Sequence, residues 1–399
     1  MLRVSALVVG LLVLACIGWV SAALVQSLPA PKLAVALHRE TTVPGKPLAL
    51  TVPSGVQAAV AVEGVGLMAT RGAERATPIA SLTKMMSALV VLHDHPLAAG
   101  ASGPEITITP GDVATYLKER HQGDSVVPVR AGEQLSELQA LEGALIPSGD
   151  NIVQLLAVWD AGSIGAFTTK MNAFARSLGL GHTHYAGPSG VNPATVSTAT
   201  DQLQVAETAM RDRVFAKIVS MPQVVLPVAG VQYNVDSDLG SDGIDGIKTG
   251  WIPQGGASFV FSAVEKLAGR QVRVIGDVIG EQGSSPLPTA LAAARQIVLA
   301  AKSTLRIFRF PAGTRVGTVS APYGRPVPVL STTPVTFVAW SGAQVRITLD
   351  NSARLPNSLR AGSSVGRLTL GLGAVRATTG LRAVSGLQAP SFSWRLEHP

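Results

Sequence analysis

The hydrophobic and polar positions along the chain divide it into four regions. The first is "MLRVSALVVGLLVLACIGWVSAALVQSLPAPK", in which an apolar stretch follows the basic residue Arg3 and continues to about Val25. This stretch is long enough to span a bilayer, and it also resembles a secretory signal, with "VSA" near residue 22 as a small-residue cleavage site. Both interpretations place the rest of the chain outside the cytoplasm. We therefore assign residues 1–27 to a signal peptide or a signal anchor.

The second region, residues 28–54, is marked by repeated prolines. They occur in "LPAPK" and in "TVPGKPLALTVPSG". Proline has no backbone N–H to donate and interrupts both helices and central strands. The pattern predicts a linker rather than an element of a folded core.

The third region, residues 55–303, alternates between strand-like and helical patterns. Strands are predicted in "VQAAVAVEG" and "GLMATRG", and the alternating segments "ASFVFSAVE" and "QVRVIGDVIG" indicate an antiparallel pair. Residues 105–135 are mixed, with "EITITP" and "DSVVPVR" as strand candidates. Helical spacing occurs in "PIASLTKMMSALVVL", "SELQALEGALI", "DNIVQLLAVWDAG", "SIGAFTTKMNAFARSLGL", "STATDQLQVAETAMRDRVFAKIV" and "PLPTALAAARQIVLAAKS". The region predicts a mixed α/β domain.

The fourth region, residues 304–399, has no helical periodicity. Short runs such as "TRVGTVS", "TFVAW" and "QVRITLD" are separated by Gly, Pro, Asn and Ser turns. This pattern predicts a small all-β domain resembling a β-sandwich.

Composition and charge narrow the classes of partner. The chain has 399 residues, is 47% hydrophobic and 14% charged, and carries a formal charge of +7, which together exclude a disordered protein. A basic balance suits nucleic acid, an anionic membrane surface or acidic wall polymers. We expect no nucleic-acid partner, because the chain has no zinc-finger spacing, RNA-binding signature or basic-aromatic run. The arginine-rich tail after residue 304 has only Asp350 and Glu397 as acidic residues, and is either a solvated face or a contact surface for anionic wall polymer or lipid.

The numbers and positions of cysteine and histidine indicate which kinds of catalytic and metal sites the chain can form. The only cysteine, Cys16, lies in the N-terminal apolar stretch, so the body of the chain has no disulfide and no cysteine nucleophile. The histidines form neither a His-Glu-x-x-His helix nor another zinc-ligand spacing. We expect no metal and no cofactor.

The segment "PIASLTKMMSALVVL" contains the first candidate for catalysis. A lone lysine in an apolar helix usually extends its ammonium to water. Here Ser81 lies three residues before Lys84, so on a helix the two side chains share a face. A serine becomes a nucleophile when a base stands within hydrogen-bond reach, and a desolvated lysine can be that base. Pro78 would mark the helix entry, where free backbone N–H groups favour developing negative charge.

Two further segments contain the partners that such a pair requires. "LIPSGDNIV" places Ser148 at a break between two helices, and "DGIDGIKTGWIPQGGASFVFSA" places Lys248, Thr249 and Gly250 near a strand. Each segment alone is compatible with an ordinary turn or strand entry. In this order, Ser-x-x-Lys, a Ser-containing junction and Lys-Thr-Gly form the motif set of penicillin-binding proteins and class A β-lactamases.

With these motifs, the sequence resembles the serine D-alanyl-D-alanine carboxypeptidases of the low-molecular-mass penicillin-binding proteins. The blocks "PIASLTKMMSALVVL", "DSVVPVRAGEQLSELQALEGALIPSGDN", "THYAGPSGVNPATVSTATD" and "DGIDGIKTGWIPQGGASFVFSA" each look like blocks of that family, in the same order. The resemblance covers residues 55–303, and the tail is similar to the family's small C-terminal domain. It implies an α/β (α+β) DD-peptidase-like domain, with an antiparallel sheet packed with helices, followed by an all-β domain.

The resemblance also implies roles for these residues. Ser81 would be the acylated nucleophile, Lys84 its general base, and Ser148 a relay of protons to the leaving amine. Lys248 and Thr249 would hold the terminal carboxylate of the substrate.

Two backbone features complete the implied site. Gly250 would let the substrate backbone approach closely. The oxyanion hole would be formed by the backbone N–H groups of Ser81 and Trp251, aimed at the charge of the tetrahedral intermediate.

The sequence departs from the family pattern at two places. The middle motif usually ends in Asn, whereas here Asp150 stands at that position and Asn151 follows. One position on a helix turns a side chain by about 100°, so Asn151 cannot simply replace the missing amide, and we expect Asp150 to face the cleft or the junction to be rearranged. Residues 222–247 also lack the arginine that some relatives use for carboxylate binding, and contain Asp236, Asp238, Asp242 and Asp245 instead.

The functional expectation is an envelope enzyme, membrane-anchored or secreted, with peptidoglycan stem peptides as substrate and β-lactams as inhibitors. It would remove the terminal D-alanine from stem pentapeptides through an acyl-serine intermediate. One alternative is a catalytically weak or silent scaffold that binds penicillin or wall, because of Asp150 and the missing arginine. A β-lactamase is less well supported, because no Glu-x-x-x-Asn segment follows Ser148 in the expected interval.

Overall fold

The computed structural model describes residues 2–72, 74–350 and 354–398, and the chain divides into two compact units. One unit, Gly45–Arg306, contains helices and sheet and is called the mixed unit. The other, called the β unit, combines Met1–Pro44 with Ile307–Pro399.

The helices and strands follow one another in chain order. The N-terminal segment of the β unit contains α1 (Leu2–Val25), β1 (Lys32–Val35) and β2 (Glu40–Thr42). The mixed unit contains β3 (Gln57–Val62), β4 (Gly66–Arg71), β5 (Thr77–Pro78), α2 (Thr83–Asp94), β6 (Glu105–Thr107), α3 (Pro110–Gln122), β7 (Gln134–Ser136), α4 (Glu137–Leu145), α5 (Asp150–Ala161), α6 (Ile164–Ser177), β8 (Val196–Ser197), α7 (Ala199–Ala209), α8 (Arg213–Val219), β9 (Gln223–Leu226), β10 (Gly230–Tyr233), β11 (Ile244–Ile252), β12 (Gly256–Leu267), β13 (Arg270–Glu281) and α9 (Pro286–Thr304). The chain then forms β14 (Leu305–Phe310), β15 (Arg315–Ser320), β16 (Val327–Ser331), β17 (Val335–Trp340), β18 (Gln344–Asp350), β19 (Ser364–Leu372), β20 (Val375–Ala383) and α10 (Phe392–Glu397).

The mixed unit is built on a five-stranded antiparallel sheet in the order β11-β12-β13-β3-β4. All six residues of β3 and the first eight of β12 are buried, so the central strands are covered on both faces, as their continuous apolar sequences indicate. Helix α9 packs on β12 and β13, and α7 packs on β13 and β3. The sheet places β11 at an edge, and the strand contacts the turn Ala80–Leu82.

Helix α2 lies inside the core of the mixed unit. Ten of its twelve residues, Thr83 to Leu92, are buried, and apolar residues on every side of the helix explain why it has no polar face. The α-helix begins at Thr83 rather than near Pro78, because a 3-10 turn at Ala80–Leu82 precedes it. Ser81 therefore lies in that turn and Lys84 in the first turn of the helix.

Residues 105–135 differ from the sequence prediction. "EITITP" does contain a strand, β6, but "DSVVPVR" is irregular backbone, and the polar helix α3 lies between them. A capping box closes the start of α3, because Thr109 accepts from the N–H of Asp112 and Asp112 accepts from the N–H of Thr109. These caps, together with Pro110 at the first helical position and the left-handed Gly123 after the last, define a helix that hydrophobic spacing does not indicate.

The β unit is a seven-stranded antiparallel sheet in the order β1-β15-β16-β20-β19-β18-β2, with β14 and β17 as a separate pair. The prediction of a linker over residues 28–54 is wrong for residues 32–42. Strand β1 pairs Lys32 with Ser320, and β2 pairs Glu40 with Arg346. Both are short edge strands that obtain their hydrogen bonds from a longer neighbour, so they need no apolar run of their own.

Helix α1 has the properties of a membrane span or a signal sequence. Over Ser5–Val25 its mean hydropathy is 2.6, and nearly all of its side chains are exposed, including Leu11, Leu12 and Ile17. Among the described residues, α1 alone is an unbroken helix that is both long enough and apolar enough to cross a membrane.

Candidate active site

Ser81 and Lys84 are in direct contact at the start of α2. Lys84 Nζ donates to Ser81 Oγ over 2.7 Å, and the lysine side chain is fully buried while Ser81 is partly exposed. Ala80, immediately before the serine, has φ +49°, a left-handed conformation that costs an L-residue about 1–2 kcal/mol. This turn directs the hydroxyl to the lysine and keeps it accessible from outside.

Asp150 is the second partner of Lys84. The lysine donates to Asp150 Oδ1 over 2.6 Å, and the carboxylate side chain is 4% exposed. Asp150 is the first residue of α5, directly after the Pro-Ser-Gly junction, which aims its side chain back at α2. The structure thus places Asp150 against the lysine, one of the two outcomes expected from its position in the motif.

Asn151 points elsewhere and forms a separate structural contact. Its Oδ1 accepts from Val127 N and its Nδ2 donates to Val127 O, both over 2.9 Å. Only an amide can make both bonds, since a carboxylate has no donor. Asn151 therefore cannot provide the missing amide beside Lys84.

The loop before β8 supplies a third partner that the sequence patterns did not indicate. Lys84 Nζ donates to the backbone O of Ser189 over 3.2 Å, and Ser87 Oγ donates to Pro188 O over 2.7 Å. Gly190 has φ +86°, and a Cβ there would lie 1.8 Å from Ala80 O, so only glycine lets this loop close over the serine turn. The segment "GPSG" contacts Lys84 and Ser87 through backbone carbonyl oxygens. Every residue has such an oxygen, so the sequence could not indicate these contacts.

Lys248, Thr249 and Gly250 lie on the edge strand β11. The lysine and threonine are buried, and Lys248 Nζ donates to Thr249 O over 3.1 Å. A Cβ on Gly250 would lie 3.0 Å from Ser81 N and 3.1 Å from Ile79 O, so β11 runs directly beside the serine turn. The structure therefore brings the Lys-Thr-Gly segment and Ser81 together.

Burial and neighbouring charges perturb the ionisable groups behind β11. Burial, with the charge of Lys84, lowers the pKa of Lys248 to about 7, against the opposing effect of Asp150 and Asp236. Burial raises the pKa of Asp236 to about 6, and its Oδ2 has no hydrogen-bond partner among the described residues. Lys248 can thus change charge near neutral pH.

Glu119 on α3 is a further acidic group near the site that the sequence patterns missed. It is buried, and one carboxylate oxygen accepts from Gln154, while the other has no partner in the part of the chain that the structure describes. Burial, then the charges of Asp150 and Asp124, raise its pKa to about 7, and Lys84 opposes the shift. Glu119 lies on a polar helix without regular hydrophobic spacing, so nothing in the sequence distinguished it from a surface glutamate.

Ser148 and Trp251 lie in the elements that form the site, but their predicted roles are not visible as direct side-chain contacts within the described residues. Ser148 is buried at the junction before α5 with φ +65°, and within the described parts of the chain its hydroxyl bonds neither Lys84 nor Lys248. The Trp251 side chain is about half exposed, and its backbone lies opposite Ala257 on β12. The relay role of Ser148 and the oxyanion role of Trp251 remain predictions.

In the described ranges, no three His, Cys, Asp or Glu side chains are grouped so that they could hold a metal ion.

A family model described as D-alanyl-D-alanine carboxypeptidase (peptidase S11) matches residues 49–283, more than half of the chain. The chain belongs to this family. The matched range contains the serine turn, the junction before α5 and the Lys-Thr-Gly strand, so membership and site geometry refer to the same part of the chain.

Individual relatives are similar at moderate identity. The chain is 28% identical over 224 residues to D-alanyl-D-alanine carboxypeptidase DacA of Escherichia coli, covering 54% of this chain and 53% of the relative. It is 32% identical over 204 residues to D-alanyl-D-alanine carboxypeptidase DacB2 of Mycobacterium tuberculosis, covering 49% and 66%. The matches thus span about half to two thirds of the length of these curated relatives.

A solved structure shares the fold. Penicillin binding protein 5 from Haemophilus influenzae superposes with a TM-score of 0.60 at 20% identity, covering 84% of this chain and 99% of the other. The family fold is therefore a mixed helical and antiparallel-sheet domain accompanied by an all-β region, as the sequence predicted.

The family membership fits the arrangement around Ser81. A hydroxyl in contact with a buried amine, next to a strand at the edge of a sheet, is an arrangement suited to nucleophilic catalysis. Buried cationic and hydroxyl groups at Lys248 and Thr249 suit an anionic end group of a ligand.

Proposed function

We propose that the protein is a serine-type D-Ala-D-Ala carboxypeptidase that releases the terminal D-alanine from peptidoglycan stem pentapeptides. The observation that carries this proposal is the contact of Lys84 Nζ with Ser81 Oγ beside Gly250 of β11. Family membership supports the reaction class. The substrate, the acyl-serine route and penicillin binding are the parts that need a test.

In the proposed acylation, a neutral Lys84 accepts the hydroxyl proton of Ser81 while Oγ bonds to the carbonyl carbon of the penultimate D-alanine. The tetrahedral intermediate collapses with cleavage of the C–N bond, and the proton passes to the leaving amine, directly or through Ser148. The product is free D-alanine and an ester on Ser81. Water then attacks the ester carbonyl with Lys84 as base, the bond between that carbon and Ser81 Oγ breaks, and the proton passes from Lys84 to Oγ. The shortened peptide leaves with a new terminal carboxyl group.

The substrate is proposed to bind along β11. The ammonium of Lys248 and the hydroxyl of Thr249 would hold the terminal carboxylate, and Gly250 would leave room for the peptide next to Ser81 N. The backbone N–H groups of Ser81 and Trp251 would stabilise the oxyanion, where one donor is typically worth about 2.7–4 kcal/mol.

The proposed location is the outer side of the cytoplasmic membrane, with α1 as anchor or signal. If α1 is retained, the chain between Val25 and Lys32 can extend at most about 25 Å, which keeps the β unit near the bilayer. The β unit carries thirteen Lys and Arg against three Asp and Glu, a formal charge of +10 in a chain of +7. This supports contact of the arginine-rich tail with an anionic surface, either wall polymer or lipid.

A second candidate function is a penicillin- or wall-binding scaffold with little activity. The observation that favours it is the buried ion pair of Lys84 with Asp150, since an ammonium cannot accept the Ser81 proton.

The test is release of D-alanine from a D-Ala-D-Ala-ending peptide by the full-length chain in detergent, with Ser81→Ala beside it. The matched control is Ser177→Ala, because that serine is exposed and its hydroxyl donates to Phe174 O within α6. We expect release by the unmodified chain and by the control, and none by Ser81→Ala. Penicillin acylation without D-alanine release would favour the scaffold, and release by Ser81→Ala would contradict the proposal.

A further inference from the structure

The amine of Lys84 is surrounded by three oxygen atoms in the resting site. They are Asp150 Oδ1 at 2.6 Å, Ser81 Oγ at 2.7 Å and Ser189 O at 3.2 Å. An ammonium has three N–H donors and no acceptor, so each of its donors can be directed at one of these oxygens. In this protonation state Nζ has no lone pair for the Ser81 proton.

As a general base, Lys84 must instead be a neutral amine with two N–H groups and one lone pair. The carbonyl of Ser189 and the carboxylate of Asp150 can only accept hydrogen bonds. The two N–H groups therefore stay with these oxygens and the lone pair faces the Ser81 hydroxyl. The same three contacts fit the ammonium and the neutral amine of Lys84. The charges around the amine therefore decide which of the two forms is present.

Asp150 is the group that opposes the loss of the proton. The lysine side chain is 0% exposed and the aspartate 4% exposed, so neutralising the lysine would leave a buried carboxylate without its counter-charge. An asparagine in place of Asp150 would accept the same hydrogen bond without carrying a charge.

Other charged groups act on the same site, from every element packed around it. Behind Lys84 and Asp150 lie carboxyl groups on α3 and on the loop after it, and a second lysine with its acidic neighbour lies at β11: Glu119, Asp124, Lys248 and Asp236. None of these groups bonds Lys84 Nζ directly among the described residues, so Asp150 is the carboxylate in contact with the base.

We propose that Asp150 is a positioning residue that holds Lys84 as an ammonium in the resting site and thereby shifts acylation of Ser81 to higher pH. The inference rests on the proposed function, because it takes Ser81 as nucleophile and Lys84 as base. It means that acylation of Ser81 is slow at low pH and becomes faster as the pH rises, up to the limit set by the loss of charge on Lys248.

The experiment measures the acylation rate of the full-length chain by a penicillin between pH 5 and pH 10, with Asp150→Asn as the main variant. The charge-matched control is Asp94→Asn at the far end of α2, where Asp94 pairs with Lys170 on the surface and lies about 15 Å along the helix from Lys84. Glu119→Gln tests whether the other buried acid sets the profile.

We expect Asp150→Asn to move the acid limb of the rate profile down by at least one pH unit, which makes its acylation at pH 6 about tenfold faster than that of the unmodified chain. Asp94→Asn should leave the limb within about 0.3 pH unit, because an exposed charge at that distance is screened by salt. Glu119→Gln removes a buried acid that does not contact Lys84, so it should displace the limb less than Asp150→Asn does. A merely structural role would change the rate at all pH values and leave the limb in place.

Two outcomes overturn the inference. One is an acid limb in Asp150→Asn that coincides with that of the unmodified chain; the other is an equal displacement in Glu119→Gln. If thermal melting shows that Asp150→Asn is unfolded, Asp150→Ser answers the same question. Absence of acylation at every pH in the unmodified chain would refute the proposed function itself, which separates the two failures.

Discussion

Gly250 of β11 lies against the backbone of Ser81, where a Cβ would stand 3.0 Å from Ser81 N. Substrate and oxyanion must occupy the space beside this nitrogen. We therefore expect Gly250→Ala to lower kcat/KM for D-alanine release by about 100-fold, comparable with loss of one oxyanion donor. Gly165→Ala on α6, where a Cβ meets no neighbour within 4 Å, is the matched control. Equal losses in the two variants would contradict the role of this close approach.

The buried pair of Lys84 and Asp150 predicts a specific pattern of stability. Lys84→Met leaves a buried carboxylate without a counter-charge, which should lower the free energy of unfolding by about 3–5 kcal/mol. The double variant Lys84→Met/Asp150→Asn removes both charges and should recover most of that loss. Urea unfolding of the three proteins measures the effect. A loss below about 1 kcal/mol in the single variant would indicate an exposed rather than a buried pair.

The charge of Lys248 should set the alkaline limit of kcat/KM. Burial and the charge of Lys84 lower its pKa to about 7, so the ammonium that would bind the substrate carboxylate is lost as the pH rises through 7. We expect an alkaline limb of kcat/KM near that pH in the free enzyme. Asp236→Asn removes a negative charge that stabilises the Lys248 ammonium, so it should move the limb to lower pH. A limb that moves upward or not at all in this variant would exclude Lys248 as its origin.

The ionisation of Glu137, which is not one of the proposed catalytic groups, should make the free energy of unfolding depend on pH. Burial raises its pKa from 4.5 to about 7, and within the described ranges its Oε1 has no hydrogen-bond partner. Because the folded-state pKa is the higher one, stability is fully present below pH 4.5 and is lost as the pH rises to 7, by about 3 kcal/mol. Glu137→Gln should match the unmodified chain at pH 4 and exceed its unfolding free energy at pH 8. Equal free energies at both pH values would refute the buried, protonated state.

Contacts between side chains at short, regular spacing were predictable from the sequence. The three-residue step from Ser81 to Lys84 brings both side chains together even though Ser81 lies in a 3-10 turn, because that turn also returns the chain within about three residues. For Asp150, the sequence left two outcomes open, a carboxylate facing the cleft or a rearranged junction, and the side chain lies against Lys84. Local geometry decides the contact of Ser81 with Lys84, whereas the contact of Asp150 with Lys84 joins residues 66 positions apart and depends on the packing of α5 near α2.

The remaining features depend on tertiary structure that no local pattern encodes. The carbonyl of Ser189 reaches Lys84 from 105 residues away and carries no side-chain signal. Glu119 lies on a helix whose caps, not its apolar spacing, define it. Strands β1 and β2 were predicted as linker because an edge strand is held by its neighbour's hydrogen bonds rather than by its own apolar residues.

The central claim is that Ser81 is a nucleophile activated by Lys84, and the most direct measurement is intact-protein mass spectrometry of the full-length chain after exposure to penicillin, followed by peptide mapping. The account predicts one penicillin adduct, located on the peptide that contains Ser81 and absent from Ser81→Ala. Folded protein without an adduct, or an adduct that persists in Ser81→Ala, would contradict it.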